Sequence, residues 1–195
     1  TYTAPNQITC CDIGGDFIFI SVDNEDHKHI HSIVMKPDLS VVADKEIGSV
    51  FDATFCEDYL AIATKCDGND HSALSLYTVD LNPGESEIHL TSSITFMTFT
   101  SQELYVATND GYVYNFEVNS TDSDFSSTKA EIFKGEEKPN IYSFATTILV
   151  LQSSSLFIYN GQQFLVLKPT DVPPATVASL EENLFIIDKN GQVTM

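Results

Sequence analysis

The chain has 195 residues, 43% of them apolar, and sets 28 acidic side chains against 9 lysines with no arginine, for a net charge of −19. Nucleic acid and anionic membrane are bound through cationic side chains, with Arg favoured wherever a planar fork is needed, so this balance argues against both and favours a basic partner. The length suffices for one domain with a substantial core, while the longest apolar runs, Phe17 to Ile20 and Ile148 to Leu151, fall far short of the ~20 residues a membrane-spanning helix needs.

In chain order, one degenerate pattern recurs five times: an alternating segment, a polar turn, then a short apolar run. The first copy has Cys11 with Ile13, then Phe17 to Ile20, and predicts further strands over His29 to Met35 and Val41 to Ala43. The second has Ala53 with Phe55, a turn at Glu57-Asp58, Tyr59 to Ala63, a longer turn holding Cys66-Asp-Gly68, then Leu74 to Leu81 and Glu87 to Leu90. In the third, Met97 and Phe99 precede the turn Ser101-Gln-Glu103, the run Leu104 to Ala107, the tight turn Asn109-Asp-Gly111, Tyr112 to Val118, and a fourth strand about Ala130 to Phe133. Asn119 to Ser127, a Ser, Thr and Asp run, reads as an extended loop. The fourth copy offers Tyr142 with Phe144, Ile148 to Leu151, Leu156 to Tyr159 and Phe164 to Leu167. The fifth has Val177 with Ser179, Leu184 to Ile187, the turn Lys189-Asn-Gly191 and the start of a third strand at Gln192 to Met195.

Laying Ile18, Leu60, Leu104, Ile148 and Leu184 on one another gives offsets of 42, 44, 44 and 36 residues. A period near ~40 built from short strands is how a β-propeller blade looks in sequence. Val, Ile, Phe, Tyr and Thr fill the runs, Gly, Pro, Asn and Asp punctuate them, and no segment carries a sustained helical stripe. The expectation is an all-β single domain over residues 1–195, a β-propeller of about five four-stranded blades near 7–46, 47–92, 93–136, 137–172 and 173–195. Residues 1–6 would complete the last blade as its outer strand and remove an exposed edge, or the chain would be part of a larger propeller.

Cysteines stand at 10, 11, 56 and 66, with no Cys-x-x-Cys pair. Cys10 and Cys11 are adjacent, so on a strand they point to opposite faces and bridge poorly; a reducing compartment fits better than a disulfide framework. Asn119-Ser-Thr121 matches a glycosylation sequon, three residues that carry little weight alone.

The segment Ala107-Thr-Asn-Asp-Gly-Tyr-Val-Tyr-Asn-Phe-Glu-Val118 resembles a WD-repeat blade: small residues, an Asp-Gly turn, an alternating strand, and Phe116-Glu117 standing where Trp-Asp would close it. Val79-Asp80 is the counterpart in the second copy. The resemblance covers one blade strongly and the others loosely. No Gly-His pair opens a blade, Trp is absent, and Ser153-Ser-Ser155 replaces the Asp-Gly turn in the fourth copy, so the family's Ser/Thr-His-Asp-Trp hydrogen-bond network does not carry over. The resemblance implies a non-enzymatic interaction platform in a eukaryotic cytosol or nucleus.

Acidic turns supply the candidate binding residues. Asp23, Glu25 and Asp26 lie between strands two and three of the first copy, Asp67 and Asp70 hold that place in the second, and Asp110 in the third. Equivalent turns of successive blades share a rim, so these acids predict a negative arc that attracts a basic segment of a protein partner; Asp in such turns also shapes the hairpin locally. His27, His29 and His31 share one face of a strand beside Asp26, but a single strand lacks a converging fourth ligand, and no metal or cofactor is expected. Asp12 and Asp52, at nearly equivalent places in two blades, are the carboxylates a five-bladed glycosidase would set in its funnel; without Trp to stack sugars or Arg to hold a carboxylate, no enzyme is expected. An architectural subunit lending blades to a multi-protein assembly through strand edges is the other alternative.

Overall fold

Successive side chains of a strand point to opposite faces, so a short unbroken apolar run marks a strand covered on both sides. The computed structural model describes residues 7–23, 30–57, 59–66, 71–100, 103–119, 124–144, 146–152, 155–167, 174–180 and 183–194. Among these, five sheets form, each a meander in which every strand pairs with the next in sequence. The first holds β1 (Gln7–Gly14), β2 (Phe17–Asp23), β3 (Ile30–Met35) and β4 (Val41–Glu46); the second holds β5 (Val50–Cys56), β6 (Tyr59–Lys65), β7 (Ser72–Thr78) and β8 (Pro83–Leu90). The third holds β9 (Ile94–Thr100), β10 (Glu103–Thr108), β11 (Tyr112–Asn119) and β12 (Asp124–Lys134), and the fourth β13 (Asn140–Phe144), β14 (Thr147–Gln152), β15 (Ser155–Tyr159) and β16 (Phe164–Leu167). The last sheet has three strands, β17 (Pro174–Leu180), β18 (Asn183–Asp188) and β19 (Val193–Thr194). The chain divides into two compact units, Thr1–Ile94 with Glu117–Thr128, and Thr95–Phe116 with Lys129–Met195.

In the first unit, β2 shows why its run is unbroken. Phe17 and Phe19 enter a core shared with Val34, Phe55, Leu60 and Ile62, while Ile18, Ile20 and Val22 enter a second core with Ile33, Met35 and Leu39. In the second unit β14 does the same: Ile148 and Val150 pack against Tyr105, Val113 and Ile141, and Leu149 and Leu151 against Leu156, Val177 and Leu184. Each fully buried side chain of this kind contributes about 1.5–3 kcal/mol.

Between the first two sheets, β1 meets β5 at a narrow joint. The Asp12 carboxylate accepts the Phe55 backbone N–H at 2.8 Å, and the Phe17 and Phe55 rings stack at 6.3 Å. Gly14 leaves no room there: a Cβ would stand 2.2 Å from the Phe55 Cβ. The first strands also share an irregularity that the sequence hides, since the register of β1, β5 and β17 slips at Ile8/Cys10, Val50/Asp52 and Pro174/Thr176. Thr9 caps the slip in β1 by donating its hydroxyl to the Ser21 carbonyl, and Thr95 in β9 donates to the Ala107 carbonyl.

Among the described residues, four hairpins use one turn. Gly111 and Gly191 take its left-handed position, with φ of 94° and 78°, as Asn-Asp-Gly and Lys-Asn-Gly demand. Leu39 and Leu81 take it in the other two, with φ of 70° and 56°. Leu81 is buried in the first unit's core, and that burial offsets the backbone strain. The strand expected over Leu74 to Leu81 therefore ends at Thr78, where the Leu81 N–H bonds back to the Thr78 carbonyl.

Outer strands run longer than their composition foretells. β8 begins at Pro83 instead of Glu87, β4 extends to Glu46, and β12 begins at Asp124, so Asp124 to Ser127, expected in a loop, lie in a strand. An outer strand is held by its backbone ladder to one neighbour, which demands no apolar pattern. Residues 1–6, and with them the expected closing strand, lie outside the described residues.

Gly14→Ala forces Cβ into Phe55 and is expected to destabilise the fold by about 1–3 kcal/mol, the usual cost of overpacking. A thermal melt matching the unsubstituted chain would refute the joint.

Candidate functional site

Asp23 closes β2, Asp110 sits in the turn from β10 to β11, and Glu25, Asp26, Asp67 and Asp70 lie outside the described residues, as do His27 and His29. Asp110 is exposed, and its carboxylate accepts the Thr108 hydroxyl at 2.6 Å, so it shapes its own hairpin. Lys134 donates to the Asp110 carbonyl at 2.6 Å and lies over the Tyr112 ring, 3.5 Å from its centroid, which sets a positive charge beside this acid.

His31 stands on β3 with its Nδ1 2.9 Å from Asp44 and its Nε2 3.9 Å from Glu46, both on β4. Its ring is engaged across the ladder by two carboxylates.

Asp12 and Asp52 part company in the structure. The shared slip aligns Asp52 with Cys10, because each is the first paired residue after it, so Asp12 aligns with Thr54. Asp12 is spent on the Phe55 N–H, and Asp52 accepts the Ala53 N–H at 3.0 Å. Both lie close enough to Cys10 to bear on its thiol: burial first, then the Asp52 charge, with smaller effects from Cys11 and Asp12, push that thiol up to about 12. None of the four cysteines is in a disulfide.

A concave site that the sequence did not announce lies in the second unit, at the head of β10. Glu103, Tyr105, Thr147, Tyr159, Asn160 and Leu165 are among the residues lining a cavity of about 410 Å³. Tyr105 donates its hydroxyl to Glu103 Oε2 at 2.5 Å, and Asn115 donates its amide to Glu103 Oε1 at 3.1 Å. Burial, and then the Glu103 carboxylate beside it, holds the Tyr105 phenol well above its ordinary value. The Tyr105 and Tyr159 rings meet edge to face at 6.4 Å, and Tyr159 leans on Phe164 at 4.9 Å. Glu103 reads as a turn residue and Tyr105 as core when the strand is taken alone; the available signal was their i, i+2 spacing, which puts acid and phenol on one face.

No family model and no curated protein matches the chain. Solved structures do. Kluyveromyces lactis Hsv2 superposes with a TM-score of 0.69 at 8% identity, over 95% of this chain and 57% of that one. BBS1N, solved in complex with ARL6DN, gives 0.69 at 13% identity, over 97% and 65%. The computationally designed Ika4 protein gives 0.55 at 10% identity, over 86% and 94%. Hsv2 and BBS1N are β-propeller proteins, and likeness at such low identity shows that fold. The chain spans less than two thirds of the length of either.

Because Cys10 is buried and Cys11 exposed, iodoacetamide at pH 8 is expected to modify Cys11 in the folded chain and Cys10 only after unfolding. The Cys10 thiol is raised on folding, so the stability it contributes is complete below its unfolded value near ~8.5 and is lost as pH climbs toward about 12. Equal labelling of both thiols in the native chain would contradict this.

Proposed function

We propose that the chain is a non-enzymatic protein-interaction scaffold whose five sheets are five blades of a WD-like propeller, with an acidic rim that recruits a basic segment of a protein partner. The observation that carries the reading is that Asp23 closes β2 and Asp110 lies in the turn from β10 to β11, in a chain of net charge −19 whose sequence sets Asp26 between β2 and β3 and Asp67 between β6 and β7. BBS1N, one of the structural neighbours, was solved with a protein partner. Phe116 is fully buried at the place of the WD tryptophan, which supports the WD-like reading of that blade. Engagement of Asp12 and Asp52 with backbone N–H groups favours a structural over a catalytic role for them. The cytosol or nucleus is the proposed setting, in keeping with four cysteines outside any disulfide.

A second reading is an architectural subunit that lends blades to a larger assembly. It is favoured by exposed Leu165, Val166 and Val193 on β16 and β19.

An octalysine peptide is the probe for the rim. Changing Asp23, Asp26, Asp67 and Asp110 together to Asn is expected to weaken its binding about tenfold at low salt and to flatten the salt dependence. Unchanged affinity would eliminate the rim, and sedimentation of the chain as a monodisperse monomer would count against the architectural reading.

A further inference from the structure

The cavity at the head of β10 combines features that no strand ladder requires. The Glu103 carboxylate is exposed, and among the described residues no lysine pairs with it. Its two neighbours, the Tyr105 hydroxyl and the Asn115 amide, orient the carboxylate without neutralising it. Around it stand two phenol rings and the apolar side chains of Ile158 and Leu165, the latter 45% exposed.

We propose that this cavity takes the side chain of one lysine from a protein partner, its ammonium on Glu103 and its methylenes along Tyr159 and Leu165. Three arguments select this occupant. An anion is repelled by the carboxylate and by the chain's overall charge. A guanidinium fork wants both carboxylate oxygens in parallel, but Oε2 already accepts from Tyr105 and Oε1 from Asn115; a compact ammonium needs only one remaining lone pair. A long aliphatic stem ending in a charge also matches apolar walls that end in an acid.

The site is separate from the acidic rim. Glu103 opens β10 and Asp110 follows its far end, roughly 20 Å away at the usual rise per residue of a strand. The two therefore fail independently.

The test titrates Nα-acetyl-lysine methylamide into the 15N-labelled full chain, beside its arginine and norleucine counterparts. Saturable amide shifts at Glu103, Tyr105, Tyr159 and Asn160 are expected with the lysine compound, at least several-fold weaker ones with arginine, and none with norleucine. Glu103→Gln keeps an acceptor for Tyr105 while removing the charge, and is expected to weaken the lysine compound at least tenfold. Leu165→Lys, at an exposed position, supplies an ammonium from within the chain and is expected to exclude the probe even if Glu103→Gln folds poorly. Asp110→Asn is expected to leave these shifts unchanged. The proposal is overturned by an equal response to norleucine, by tighter binding of the arginine compound, by absence of saturable shifts, by indifference to both cavity variants, or by loss of the shifts in Asp110→Asn.

Discussion

Burial of both faces of the second strand in a sheet is the constraint on which the rest of the molecule depends. A meander of four short strands has two faces and too little area to stand alone, so it becomes stable only where further sheets cover it. β2 and β14 show the solution in each unit: odd and even residues of one strand feed two different cores. Turns, slips and outer strands arrange themselves around that requirement. Leu81 accepts a left-handed backbone because its side chain reaches a core, and Gly14 gives up its Cβ because β1 must approach β5 closely.

That constraint also decides what could be read from the residues alone. The apolar runs Phe17 to Ile20 and Ile148 to Leu151 were legible because double burial strips polar alternation from a strand, and their recurrence pointed to stacked β units. Glycine turns at Gly111 and Gly191 were legible because left-handed backbone selects glycine. The end of β7 was not, since Leu81 occupies the glycine position for reasons of packing. Nor was the start of β12, because backbone pairing leaves little trace in composition. Of the six candidate acids, the structure describes the backbone of Asp23 and the surroundings of Asp110, and it shows Asp110 holding its own turn. The Glu103 cavity was hidden because its walls come from β10, β14, β15, β16 and two turns that only the fold brings together.

The electrostatic character follows from where the few lysines go. Lys45 spends its ammonium on the Leu81 carbonyl at 3.1 Å and the Asn82 side chain at 2.7 Å, while Lys134 spends its own on the Asp110 carbonyl and the Tyr112 ring. Two of 9 cations thus serve neighbouring backbone and amide groups and not the carboxylates that outnumber them. At a net charge of −19, the rate at which any cationic molecule meets the chain is the quantity that ionic strength governs.

The clasp between Asp12 and the Phe55 amide has a consequence for how such chains diverge. A carboxylate that grips a peptide N–H recognises something every residue except proline possesses, and a Cβ-free neighbour opposite any ordinary side chain is equally indifferent to its identity. Mutational drift in the adjoining strand therefore leaves the fastening intact. At this joint the letters of β5 can change while its fastening to β1 holds.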